Sequence, residues 1–281
     1  MYIRAIYLKL SKVGSIFVYI LTGISGCRLQ CKMMLKTKLG MTIGYVRYAS
    51  SSLIGLLLLI NMGCAKEDSA EPTLDDYDME VISYFQEIIL GFEFGGASEV
   101  TRRWETPMKM FVGGRPTSEH KNELTQIIGE INALVTTDFV VEQVSDSLQS
   151  NYYVYFGSGT DYARLFPKQA NLVSANYGLF RIYWNGAQEL NRGHMYVDIL
   201  RATAEEQLHL LREELTQSLG LPKDSERYRA SIFQQSFSTK TTNYAQIDED
   251  IIRLLYHPTM QTNLNDLQVR EVLREILLSE K

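Results

Sequence analysis

The sequence predicts an α+β domain, on two observations. Stretches with apolar residues at helical spacing, several opened by capping residues, are interleaved with short glycine-bounded segments rich in aromatic and β-branched residues. They come in the order helix, strand, helix, several strands, helix, loop, helix, helix, which is an α+β arrangement.

The first helix is expected after Asp75 and Asp76, which can cap it. It carries Val81, Ile82, Phe85, Ile88 and Ile89 on one side and ends at Gly91 and Gly95-Gly96. A strand is expected at Lys109 to Val112, closed by Gly113-Gly114-Arg115-Pro116. Ser118 opens a second helix with Leu124, Ile127, Ile128, Ile131, Leu134 and Val135 apolar. Tyr152 to Phe156, Phe180 to Trp184 and Met195 to Ile199 read as short strands.

Thr203-Ala-Glu-Glu206 fits a capping box, in which threonine and glutamate side chains satisfy each other's free backbone amides. The helix it opens is expected to run to about Leu219, with Leu208, Leu211, Leu215 and Leu219 as its apolar stripe and Glu206, His209, Glu213 and Gln217 on another face. Gly220 ends it, because glycine can take the left-handed conformation that turns the chain away. Two further helices are expected at Asp248 to Tyr256 and Asp266 to Leu278. No internal repeat is visible.

Ahead of this domain the composition changes. Lys36, Lys38 and Arg47 precede an apolar core from Leu53 to Ile60, and small residues lead to Cys64. A membrane span needs about 20 apolar residues; this run is far shorter and reads as a processing signal. Asn61-Met-Gly-Cys64 resembles the lipobox of bacterial lipoproteins, although Asn61 is unusual within it. That resemblance implies cleavage before Cys64 and acylation of its thiol.

On this reading residues 41–63 are the lipoprotein signal peptide, and residues 1–40 lie upstream of the true start or belong to the signal. Residues 64–73 are lipid anchor and tether, and residues 74–281 are the domain. Ala65 is not the aspartate that retains many lipoproteins at the inner membrane, and Lys66-Glu-Asp68 resembles the export signal of Bacteroidetes surface lipoproteins. The expectation is an outer-membrane protein, anchored by lipid at Cys64, whose domain faces outward.

Cys27, Cys31 and Cys64 all fall in the removable or anchoring region, which leaves the domain no disulfide and no thiolate metal site. A net charge of -5 without a basic cluster argues against nucleic acid as partner.

The segment Glu213-Glu-Leu-Thr-Gln-Ser-Leu-Gly-Leu-Pro-Lys-Asp-Ser225 resembles the active-site helix and turn of the metzincin zinc peptidases, H-E-x-x-H-x-x-G-x-x-H. In that pattern two histidines one helical turn apart face a metal, the glutamate beside the first activates metal-bound water, and glycine lets a third histidine return to the ion. Here Glu213, Gln217 and Lys223 stand at the three histidine positions, and only Glu214 and Gly220 match. Ser231-Ile-Phe233 corresponds to the methionine turn of those enzymes, with Phe233 in place of methionine, and Ile247 to Tyr256 resembles their last helix.

Phe92-Glu-Phe-Gly95, Arg103-Trp104, Arg212 to Leu221, Ser231 to Phe233 and Leu254 to Tyr256 together resemble a bacterial family catalogued only as a domain of unknown function. The resemblance implies a zincin-like fold, with a short mixed sheet, an active-site-type helix and C-terminal helices. It carries no established activity.

A Glu, Gln, Lys set is a poor zinc site, so no cofactor is expected. Lys223 is expected to take the ion's place by pairing with Glu213 and being shielded by Gln217. The function expected is a non-catalytic peptide- or protein-binding module whose cleft holds Glu213, Glu214, Gln217 and Lys223. An extended peptide on the edge strand or an envelope protein is the expected ligand.

The rival is a peptidase-like hydrolase using Glu214 with a divalent metal at His209 and Glu213. A structural envelope component with a vestigial cleft is the third possibility. Among the other histidines, His120, His194 and His257 have no ligand spacing, and His194, near Asn191 and Arg192, is a candidate to face the cleft.

Overall fold

A computed structural model describes residues 72–92, 96–235 and 241–281, together with two short strands near the N-terminus. Those strands, β1 (Leu8–Leu10) and β2 (Ile16–Val18), pair antiparallel in a unit of their own, Met1–Ser69. The expected signal peptide, the expected lipid anchor Cys64 and the expected tether up to Glu71 lie outside the described residues. Among the described residues no helix is long and apolar enough to cross a membrane.

The second unit, Ala70–Lys281, is a mixed α/β domain with six helices among the described residues. Helix α1 (Asp76–Ile89) starts at Asp75, whose carboxylate accepts from the Asp78 amide. Helix α2 (Ser118–Leu134) has Thr117 as its N-cap. His120 closes that box by accepting the Thr117 amide on Nδ1, so its Nε2–H donates to Gln207 at 2.8 Å. Helix α3 (Gly159–Leu165) is short. Helix α4 (Ala204–Gln217) opens on the Thr203/Glu206 box expected from sequence. Helices α5 (Gln246–Leu255) and α6 (Asp266–Ser279) complete the set.

The strands of this unit are β3 (Arg103–Trp104), β4 (Met108–Gly114), β5 (Val141–Val144), β6 (Tyr152–Gly157), β7 (Gly178–Trp184) and β8 (Glu189–Asp198). They form one six-stranded sheet in the order β3-β8-β6-β4-β5, all parallel, with β7 pairing β8 antiparallel. The sheet is larger than the sequence suggested. Strands β3 and β5 and helix α3 were not expected, because none is long enough to show a hydrophobic period. Arg103-Trp104 forms a strand against Glu189 and Leu190.

Alternation along the strands separates two faces. Tyr152, Val154 and Phe156 of β6 enter the main core with α1, α2, α4, α5 and α6. On the opposite face Tyr155 and Phe166 pack with the smaller cluster of Tyr162, Leu179 and Tyr196. His194 belongs to this second face and does not meet the expectation that it faces the cleft. It is buried, stacked on Phe166 at 3.7 Å, with its Nδ1 2.6 Å from the Tyr162 hydroxyl.

Candidate functional site

The site lies where the polar face of α4 meets β7. Leu211, Leu215 and Leu219 are fully buried on one side of α4, so the 3.6-residue period turns His209, Glu213 and Gln217 toward the other. The helix ends under tertiary control. Trp104 Nε1 donates to the Ser218 carbonyl at 2.9 Å and Tyr256 Oη to the Leu219 carbonyl at 2.9 Å, satisfying groups that a helix C-terminus leaves open. Gly220 follows with φ +112°, and a Cβ there would overlap the backbone carbonyl of Arg102. Both the turn and the close approach require glycine.

After this turn, Ser231-Ile-Phe233 is anchored from below by Asp248. Its carboxylate accepts from Ser231 Oγ at 2.6 Å, from the Ile232 amide at 2.9 Å and from the Ala245 amide at 2.9 Å. Burial nevertheless pushes the Asp248 carboxyl up to about 6. Phe233 is fully buried in the main core, where it fills space and exposes no polar atom.

A cleft of about 640 Å³ opens here, lined by Glu213, Glu214, Gln217, Asp224, Gln234 and the length of β7. Phe92 and Trp184 stack at 5.4 Å at the cleft wall, with the Arg102 guanidinium 4.4 Å from the centre of the Trp184 ring. Glu214 is buried against the start of β7, where a Cβ on Gly178 would stand 2.6 Å from Glu214 Oε1 and 2.8 Å from Leu210 Cδ2. Glycine at 178 therefore makes room for the carboxylate.

His209 is 1 % exposed and its Nδ1 is 2.7 Å from the Thr241 carbonyl, so that nitrogen carries the proton. Its Nε2 then faces Glu213 Oε2 at 3.4 Å. Burial lowers the affinity of this imidazole for a second proton, more than the Thr241 carbonyl and Glu206 restore it.

Three of the four expected cleft residues, Glu213, Glu214 and Gln217, come together; Lys223 does not. Its side chain lies at Gly91, where a Cβ would stand 3.3 Å from Lys223 Cε, and it lines a separate depression with Glu87, Glu99 and Arg270. The expected Glu213–Lys223 pair is absent among the described ion pairs, and Gln217 Nε2 donates instead to Asp224 Oδ1 at 2.5 Å. The alignment with a third-ligand position mispredicted the contact by one residue. Pro222 and the return of the chain to Ser225, bonded to Phe233 and Gln235, turn Asp224 inward in place of Lys223.

The edge of β7 is the part of the site that the sequence did not reveal. The Asp198 amide donates to the Tyr177 carbonyl at 2.7 Å, which sets the phase of the ladder by turning the main-chain groups of that opposed pair toward each other. Antiparallel alternation then directs the main-chain groups of Leu179, Arg181 and Tyr183 toward β8, and those of Gly178, Phe180 and Ile182 away from it. Among the described residues no strand pairs with that outer edge.

Comparison with curated proteins gives no match. The family described as a protein of unknown function (DUF2927) matches residues 78–275, a span that holds the sheet, the α4 helix and the cleft, and the chain belongs to that family.

Proposed function

We propose that this domain is a peptide-binding module of zincin-like fold, lipid-anchored at Cys64 in the bacterial outer membrane, that holds an extended peptide against β7 without hydrolysing it. The carrying observation is the outer edge of β7. Three residues in alternation direct main-chain donors and acceptors into a cleft floored by the polar face of α4. A peptide extended along an edge strand is the binding mode the metzincin resemblance implies, and strand addition is the recognition mode such an edge supports.

Hydrogen exchange tests it. With an extended peptide bound, the amides of Phe180 and Ile182 should become protected while those of Leu179 and Arg181, already in the ladder, should change little. Uniform protection of both sets, or none at any peptide concentration, would reject strand addition.

The hydrolase reading has one observation in its favour. Donation of Nδ1–H to a carbonyl is how metal-binding histidines are commonly oriented, and His209 Nε2 faces Glu213. The donor set does not fit a catalytic zinc, which takes three protein ligands. Among the described residues no group of three His, Cys, Asp or Glu side chains is placed to hold a metal ion. Metal analysis of purified protein decides between the readings: stoichiometric metal lost in a His209→Ala variant would establish the rival.

A further inference from the structure

Two glutamines outside the metzincin-type frame line the same cleft. Gln169 sits in the 3₁₀ turn after α3 and is 3 % exposed; none of the hydrogen bonds among the described residues uses its carboxamide. Gln234 directly follows Phe233 and is 9 % exposed, and its Oε1 is buried without a hydrogen-bond partner. Their supports lie on opposite faces of the sheet. Phe166 and Leu172, which flank Gln169, pack with Leu179 of β7 on the second face, whereas Phe233 belongs to the main core. Both glutamines line the cleft together with β7.

A buried polar atom without a partner, as Gln234 Oε1 is, is costly, and native structures keep few of them. Each carboxamide offers both an acceptor oxygen and N–H donors, so it can pair with the N–H and the C=O that a peptide unit presents, and it has no charge to select a side chain. We infer that Gln169 and Gln234 read the main chain of the bound strand from its two sides, so that the ligand class is an extended peptide recognised through its peptide groups with little dependence on side-chain identity. This rests on the strand-addition reading of β7.

The test uses the full chain and two neutral, blocked hexapeptides of different side chains, acetyl-Thr-Val-Thr-Val-Thr-Val-amide and acetyl-Ser-Ala-Ser-Ala-Ser-Ala-amide, followed by NMR titration. Gln169→Met and Gln234→Met keep side-chain length while removing the amide, and retention of the parent melting temperature shows that they fold. Losing one hydrogen bond should weaken binding about three- to tenfold, by a similar factor for both peptides, and the side-chain amide resonances of both glutamines should shift on binding in the parent.

Protection of the Phe180 and Ile182 amides with unchanged affinity in both variants would overturn the glutamine assignment and leave strand addition standing. Losses confined to one peptide would overturn main-chain reading. Absence of β7 protection with either peptide would overturn the strand-addition reading and this inference with it.

Discussion

Proline substitution along β7 tests the edge-strand geometry independently of any ligand. Proline removes a backbone N–H and is tolerated in a strand where that N–H points to a free edge. At Phe180 the N–H points outward, and at Arg181 it points to β8, opposite buried His194. Each proline variant is best referred to alanine at the same position, which cancels the lost packing of half-buried Phe180 and the lost side chain of exposed Arg181.

Phe180→Pro should then cost about 1 kcal/mol beyond Phe180→Ala, the order of a modest dihedral adjustment. Arg181→Pro should cost about 3 kcal/mol beyond Arg181→Ala. It loses a ladder bond worth about 1 kcal/mol and leaves a buried carbonyl unsatisfied at about 1–3 kcal/mol. Urea unfolding with equal slopes measures both differences. Equal penalties at 180 and 181, or a larger one at 180, would refute the assignment of the outer edge and the strand-addition reading that depends on it.

Gly220→Ala should destabilise by about 3 kcal/mol or more, since strain at positive φ adds to overlap with a backbone carbonyl that cannot move aside; a change below about 1 kcal/mol in chemical denaturation would show that the turn relaxes. Lys223→Ala should leave peptide affinity unchanged, whereas Asp224→Ala should weaken it by releasing Gln217, and a titration giving the reverse order would restore Lys223 to the cleft.

Stability against pH separates two buried groups. Burial holds His194 down at about 4, below the ordinary imidazole range near 6.5, so the unfolded chain takes up its proton first and this contribution is lost as pH falls from about 6.5 to 4. Asp248, raised to about 6 by burial, has the opposite sign: the folded state binds its proton first, and stability from this group falls as pH rises from about 4 to 6. Relative to the parent, His194→Gln should therefore lose stability less on acidification, and Asp248→Asn should lose more. Thermal unfolding across pH 4 to 7 checks both signs, and parallel shifts in the two variants would contradict the assignment.

Local signals in the sequence were enough for the long helices. Apolar spacing located α1, α2, α4, α5 and α6, and the Thr203/Glu206 box and Gly220 placed the ends of α4 to within a few residues, because capping and helical periodicity act over four residues or fewer. The sharing of one face by Glu213 and Gln217 followed from the same periodicity, while Glu214 was assigned to the cleft by the metzincin resemblance.

What only the tertiary structure decided depends on residues far apart in the chain. The two-residue strand β3 exists because Glu189 and Leu190 accept it as a neighbour, and no window around Arg103 could reveal that. Lys223 and Asp224 differ by one position, and which of them enters the cleft is set by how the chain from Pro222 returns to Ser225 and Phe233, with Gln217 waiting on the helix.

The outer edge of β7 is a property of pairing, since a strand does not encode which of its two edges β8 will take. Gln169 and Gln234 are 65 positions apart and look like ordinary polar residues until the sheet brings them to the same slot. Helix ends and helix faces were therefore legible in the chain itself, while the contents of the cleft were settled by long-range packing, in which one face of the sheet, one edge of β7 and one turn after Gly220 had to be chosen together.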